Sequence, residues 1–329
     1  MLREALLAIN CCLLALPTPG RGADPPAPGG HGENAVAFAP NGQWLVTGGS
    51  DAKVRIRDGA TGVVIATLAG HRYDVYAVAV AADGRTIASA SSDGSARLWD
   101  VERRAERRVL KIPPPPGEQR SCLLAVAFAP DGRTVATGDD NGTIQLWDVE
   151  SGAVRQSWRA DSDRVTQVLY SPDGATIASV GADPAVKLWD ARTQALRRSL
   201  PQPGKSRLHL AYAPDGATLA VSRNFDITLW DTKTGAEKDH LRNCPNPSPA
   251  LAFTPDGDYL AVAGIDLTHL CVVKPRAAGD DRWSVIHATP EVSICSDLAV
   301  SPDGRLVAHC FSLLGTKIPS QSFKLVAIR

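Results

Sequence analysis

From residue 31 onward the chain alternates short apolar and polar positions with a period of two, and turns rich in Gly, Pro, Asp and Asn break the runs. Such alternation between turn signals predicts short strands joined by hairpins. One phrase recurs: VAFAPDGRTVATGDDNGTIQLWD begins at Val126, and VLYSPDGATIASVGADPAVKLWD begins at Val168. In each, two apolar runs flank a Pro-Asp-Gly turn, where Gly tolerates positive φ and Asp bonds the nearby backbone. These are strands a and b. A second turn, such as Ser92-Asp93-Gly94, leads into strand c, which ends at Trp-Asp in Trp99-Asp100, Trp147-Asp148, Trp189-Asp190 and Trp230-Asp231. A weaker run follows, for example Val63 to Leu68, and is predicted to form an outer strand d.

The Pro of the first turn stands at 40, 130, 172, 214, 255 and 302, and Ala82 holds the equivalent place in a further unit. The intervals are 42, 48, 42, 42, 41 and 47 residues, so there are seven units. A repeat of this length with Trp-Asp near its end resembles the WD-repeat (WD domain, G-beta repeat) family, across residues 31–329. The resemblance implies an all-β, seven-bladed propeller of antiparallel blades. A four-stranded sheet cannot bury both faces alone, and stacking blades around an axis solves this.

The resemblance also implies a buried hydrogen-bonded set in each blade: a His before strand a, a Ser or Thr in strand b, an Asp in the b–c turn and the Trp of strand c. The second unit has all four, His71, Ser89, Asp93 and Trp99. The first has His31, Thr47 and Asp51, with Arg57 in place of Trp; the third has Thr137, Asn141 and Trp147; the fourth has Ser179, Asp183 and Trp189. All four Trp of the Trp-Asp pairs, Trp230 included, are expected to be buried. A Ser-His-Asp set also suggests nucleophilic catalysis, but here its spacing is that of the family's stabilising network.

Composition narrows the function. Lys plus Arg equals Asp plus Glu, 35 each, and this balance lacks the basic excess of a nucleic-acid binder. The run Arg103 to Arg108 is diluted by Glu102 and Glu106 and reads as a solvated outer-strand face. Gly204-Lys205-Ser206 lacks the earlier Gly of a phosphate-binding loop, since Ser199 stands there. Asp161-Ser162-Asp163 has too few ligands for calcium and reads as a solvated turn. Cysteine spacing offers no metal or haem motif, and no cofactor is expected. Cys122, Cys244, Cys271, Cys295 and Cys310 read as isolated small hydrophobes.

The first residues differ. Arg3 precedes an apolar run from Ala5 to Leu16, then a small-residue stretch to Ala23, and this pattern reads as a signal peptide over residues 1–23, too short for a membrane span. A Pro/Gly-rich linker over 24–30 and the propeller over 31–329 follow. The expected location is periplasmic or extracellular if the leader is cleaved, and cytoplasmic otherwise.

Three loops exceed the repeat norm: Ile112 to Ser121 with four consecutive prolines, Ala288 to Ile294, and Ser312 to Ser322. All belong to d–a or b–c connections, which emerge on one face, the top. The expected function is a non-catalytic scaffold presenting that face to a protein or peptide, with Tyr73, Tyr76, Arg120, Arg164 and Lys317 as candidate contacts. The alternatives are a propeller enzyme with a site at the channel mouth, which the Ala, Val, Leu and Ser of the inner strands argue against, and a propeller fragment of a larger protein. The chain stops just after Phe323 to Ile328, the predicted strand c of blade seven. A three-stranded seventh blade is expected, with an open edge able to pair with another strand. An uncleaved leader would instead offer Cys12 to Leu16 as the missing strand.

Overall fold

The computed structural model describes residues 32–111, 121–202, 208–242, 244, 250–263, 269–273, 283–288, 293–313 and 323–328. Among these every regular element is a strand, and no helix is long and apolar enough to cross a membrane. The strands form seven antiparallel sheets in simple a-b-c-d order. Blades one to five span Glu33–Ala69, Val75–Leu110, Leu123–Arg159, Val165–Pro201 and Leu208–Leu241. Blade six runs from Ala250 to Ala288, and blade seven from Ser293 to Ala327. Blade seven has three strands among the described residues, the other six have four. The segments 1–31, 112–120 and 314–322, with His31, the leader, the proline run, Arg120 and Lys317, lie outside the described residues, as does Gly204-Lys205-Ser206.

The core is built between blades, not within them. Seven apolar clusters each draw on two neighbouring blades. One joins Val36 and Leu45 of blade one to Ala308 and Cys310 of blade seven, so the ring closes. The closing seam also carries polar links. The Val36 N–H donates to Asp297 Oδ2 at 2.9 Å, and Ser296 Oγ donates to the Glu33 carbonyl at 3.0 Å. The Cys310 thiol reaches the Ala35 carbonyl at 3.5 Å.

Two turn devices repeat. In the a–b turns the Gly N–H bonds three residues back, as in Gly132 to Ala129 O at 2.9 Å, with Gly at positive φ. Six of these seven Gly face the turn proline of the preceding blade. A β-carbon placed on Gly174 would stand 3.3 Å from Pro130 Cδ, and one on Gly42 would stand 3.5 Å from Pro302 across the seam. Gly132 alone in this series meets nothing within 4 Å, because its preceding blade has Ala82 instead of proline.

In the c–d turns the Asp of Trp-Asp caps the turn. Asp148 Oδ1 accepts from the Ser151 N–H and hydroxyl at 2.6 and 2.8 Å, and Asp231 accepts likewise from Thr234 at 2.7 and 2.9 Å. The other oxygen meets a cation from strand d that also reaches a Thr of strand b. Arg155 bonds Thr134 at 2.8 Å and pairs with Asp148; Arg197 bonds Thr176 at 2.9 Å and pairs with Asp190; Lys238 bonds Thr218 at 3.0 Å and pairs with Asp231. These bonds favour the charged carboxylate. The Ser151 amide, then its hydroxyl and Arg155, hold Asp148 well below the usual range. Arg197 and then the Thr193 amide do the same for Asp190. The Thr234 amide leads at Asp231, which is lowered to about 2.

Candidate functional site

Blade two brings its four side chains together. His71 Nδ1 lies 2.9 Å from Asp93 Oδ2, and Nε2 lies 2.7 Å from Ser89 Oγ. Trp99 Nε1–H donates to the same Ser89 Oγ at 2.8 Å. A neutral ring carrying its proton on Nδ1 satisfies every group: it donates to Asp93 and accepts the Ser89 hydroxyl proton at Nε2. Asp93 also accepts from the Ser95 N–H at 2.9 Å and the Arg72 N–H at 3.1 Å. Burial pushes the Asp93 carboxyl up, but the bonds from His71, the Ser95 hydroxyl and the Arg72 amide outweigh it, leaving the group well below the usual range. Ser89 is fully buried and His71, Asp93 and Trp99 nearly so. The Ser89 oxygen is enclosed by the ring and the indole, which leaves no approach for a substrate carbonyl.

The other blades depart from this set in ways that sequence reading misassigns. In blade three Trp147 bonds Thr137 at 2.9 Å, but the b–c turn is capped by Asp139, which accepts from the Asn141 and Thr143 N–H groups at 3.0 and 2.7 Å. Asn141, expected in that role, is a donor to it. In blade four Trp189 bonds Ser179 at 2.9 Å. Asp183 pairs with Lys187 rather than with a His. The expectation of a solvated Asp161 turn is corrected: Asp161 is buried. It stands four residues before Val165, as His71 stands before Val75, and accepts from the Ala182 and Asp183 amides at 3.2 Å each. A carboxylate thus fills the His place by bonding backbone directly.

Trp230 also requires correction, since it is half-buried and its Nε1 has no partner. Trp99 pairs across strands with Ile87, and Ser89 lies two residues on; Trp230 pairs with Leu219, and two residues on stands Val221. The acceptor is missing, so the indole is held by packing against the blade four–five core and not by a hydrogen bond. In blade one Arg57 replaces the Trp and takes over its bond, donating from Nε to Thr47 Oγ1 at 3.3 Å. It also donates to the Gly62 carbonyl at 2.8 Å and pairs with the buried Glu33. Its guanidinium lies 4.6 Å from the ring centroid of Phe323 in blade seven, so this residue clamps the seam.

At the top, the start of strand a is stitched to the end of strand b in each of the first four blades: Ser50, Ser92, Asp140 and Ala182 N–H groups donate to the carbonyls of Gly32, Asp74, Cys122 and Arg164. Here lie the candidate contacts that the structure describes. Tyr73, Tyr76 and Arg164 are half-buried rather than fully exposed. Burial, then the charge of Asp74 and the neighbouring Cys122 and Asp140, pushes the Tyr76 phenol up to about 12. Burial raises the Asp74 and Asp140 carboxyls, and the Arg164 charge opposes this at Asp140. Asp140 also accepts from the Cys122 N–H at 2.9 Å, and the Cys122 thiol reaches the Ser92 carbonyl at 3.6 Å. Blades two, three and four therefore contribute to one polar and aromatic cluster. Asp74 and Asp140 were not singled out by sequence, and Cys122 reads there only as an isolated small hydrophobe; their position just before or at the start of strand a, or at the end of strand b, is the signal that would have found them.

This ring of stacked four-stranded sheets with Trp-to-Ser/Thr bonds is the architecture of a WD-repeat protein. The profile for "WD domain, G-beta repeat" matches residues 28–58 and 62–100, and that for "Anaphase-promoting complex subunit 4 WD40 domain" matches residues 100–171. Over these residues the chain matches the WD-repeat family, and the whole described ring has the β-propeller fold. Among curated proteins it is similar to WD repeat-containing protein 1 of Xenopus tropicalis, 39% identical over 71 residues, which are 21% of this chain and 12% of that protein. It is also similar to periodic tryptophan protein 2 of Arabidopsis thaliana, 34% over 82 residues, 25% and 9% of the two chains. The intraflagellar transport protein 122 homolog of Danio rerio is 41% identical over 64 residues, 20% of this chain and 5% of its own. The matches span about a tenth of the length of the first two relatives.

Proposed function

We propose that this protein is a non-catalytic interaction scaffold that receives a protein or peptide partner on the top face, at the mouth formed by blades two to four. The observation that carries the reading is the Tyr73, Asp74, Tyr76, Asp140 and Arg164 cluster. It sets half-buried carboxylates beside an aromatic ring on a scaffold held by seven inter-blade cores. Asp74 has no ion-pair partner among the described residues, so part of the cost of its burial is uncompensated. A partner that supplies donors there gains what the folded chain leaves unmade. The kinship with WD-repeat proteins supports the same reading, as does the sealed Ser89 oxygen, which argues against acyl-transfer chemistry at the His71 set. Export is part of the proposal if residues 1–23 are removed, and N-terminal sequencing of the protein recovered from its host tests this.

The test is affinity capture with the full chain, followed by quantitative comparison with a Tyr73→Ala, Tyr76→Ala double variant. Partners bound at this mouth should be lost from the variant while its melting temperature stays close to the wild type's. An unchanged set of partners would move the binding surface elsewhere, and Arg120 and Lys317 would then be the next substitutions.

A further inference from the structure

The perimeter of the ring is a row of strand edges, and that of blade one differs from those of blades two to five; the outer strand of blade six, WSVIHA, also lacks Asp, Glu, Lys and Arg. The outer strands of blades two to five read AERRVL, VRQSWR, LRRSLP and EKDHL. Each carries charge along the edge, which is how proteins keep unpaired strands from joining. The outer strand of blade one, Val64–Ala69, reads VIATLA. It has no charged residue, and the turn before it, Gly59 to Val63, has none either. Val63, Val64 and Ile65 are 65%, 41% and 43% exposed in succession. The outer strands of blades two to four each expose a single large apolar side chain, Val109, Val154 or Leu196, and each has Arg beside or near it.

The exception falls at a definite register position. Arg57 pairs with Val64 as Trp99, Trp147, Trp189 and Trp230 pair with Glu106, Val154, Leu196 and Glu237. The next residue is therefore Ile65 in blade one and Arg107, Arg155, Arg197 and Lys238 in the others. Three of those cations complete the Thr–cation–Asp clamp described above. Blade one keeps the capping carboxylate, Asp58, which accepts from Ala60 and Thr61, but it has no cation to meet the other oxygen.

We propose that the outer edge of blade one is the dimer interface of this protein, formed by antiparallel pairing of Val64–Ala69 with the same strand of a second copy. Two features favour a copy of the same chain as occupant. The edge offers unpaired backbone N–H and C=O groups, which an extended strand satisfies. Pairing a strand with itself also sets two strands of the same net charge side by side, whatever the register. On the outer strands of blades two to four this sets a net positive strand against its own copy, and on that of blade five a net negative one, which is repulsive. On Val64–Ala69 it brings together only Val, Ile, Ala, Thr and Leu. The pairing is isologous, so it uses both edges and stops at two copies rather than growing into a fibre.

Sedimentation equilibrium of the full chain from 1 to 100 µM tests the proposal, with Ile65→Arg as the variant. Ile65→Arg restores the residue found at this register in the neighbouring blades and gives Asp58 a cation, so it should fold with an unchanged or raised melting temperature. The wild type should shift from monomer to dimer with concentration, and Ile65→Arg should weaken the dimer at least about tenfold. Amide exchange at Val64 to Ala69 should slow as the wild type dimerises. A wild type that stays monomeric throughout the range overturns the proposal. So does equal dimerisation by Ile65→Arg and by Thr67→Lys on the same edge, or a dimer in which these amides exchange as fast as in the monomer.

Discussion

Filling the gap in the ring of turn prolines should stabilise the protein. In six a–b turns a proline faces the glycine of the next blade, and between Ala82 and Gly132 that contact is absent. The Ala82 turn already has the geometry proline needs: Gly84 N–H bonds Ala81 O at 2.9 Å, as Gly132 bonds Ala129 in the proline-bearing turn of blade three. No hydrogen bond among the described residues uses the Ala82 N–H, and Ala82 is exposed, so Ala82→Pro breaks none of those bonds. Restricting the unfolded chain contributes about 0.4–1 kcal/mol. Resting part of a pyrrolidine ring on Gly132 adds about 0.5 kcal/mol, a fraction of the value of one buried methylene. The sum, about 1–1.5 kcal/mol, corresponds to a rise in melting temperature of roughly 2–5 °C for a chain of this size. Differential scanning calorimetry at fixed scan rate reads it. The matched control is Pro130→Ala, which should lower the melting temperature by a similar amount. An unchanged or lower value for Ala82→Pro, or no loss in the control, would refute the idea that these inter-blade contacts add stability.

Four further outcomes are expected. Asp93→Ala should cost about 1–3 kcal/mol, because His71, Ser95 and the Arg72 amide are left with unmet buried groups; urea titration measures it. Arg104, at φ 52°, occupies the place of Gly62, Gly152 and Gly235, so Arg104→Gly should raise stability by about 1 kcal/mol through relief of left-handed strain, read as a higher urea midpoint. Val221→Thr places a hydroxyl where Ser89, Thr137 and Ser179 hold their indoles, and should be neutral or stabilising by calorimetry, whereas Val135→Thr, at a buried site with no such donor, should destabilise. Asp231 has a folded pKa near 2, below the unfolded value, so its contribution is complete above about pH 4 and is lost as pH falls toward 2. The stability gap between wild type and Asp231→Asn should therefore be constant from pH 7 to 5 and shrink between pH 4 and 2.

Sequence carries what is local. The Pro-Asp-Gly turns, the Trp-Asp strand ends and the His71 set are each written within one repeat, so the blade count and the blade-two network could be read directly. The misreadings arise where one blade's chemistry is completed differently. Asp161 does the work of a His through backbone amides, a solution that composition cannot distinguish from a solvated acidic turn. Trp230 looks like its counterparts until Val221 is seen to occupy the acceptor's register position. Arg57 looks like a decayed Trp, and its value depends on Phe323, which is nowhere near it in sequence. The top-face cluster was legible only in part, because Asp74 and Asp140 acquire meaning from neighbouring blades.

The seam between the first and last blades has a consequence for how the protein is made. Its links join residues 261 to 275 positions apart, so during synthesis they cannot form until Ser296, Asp297 and Cys310 have left the ribosome. Until then blade one carries an unfilled flank: Val36 and Leu45 lack Ala308 and Cys310, and the Arg57 guanidinium lacks the Phe323 ring. The Glu33–Arg57 ion pair, screened from water in the finished ring, faces solvent throughout that interval. The nascent chain is therefore an open arc with one adhesive end until the residues of blade seven emerge to cover it.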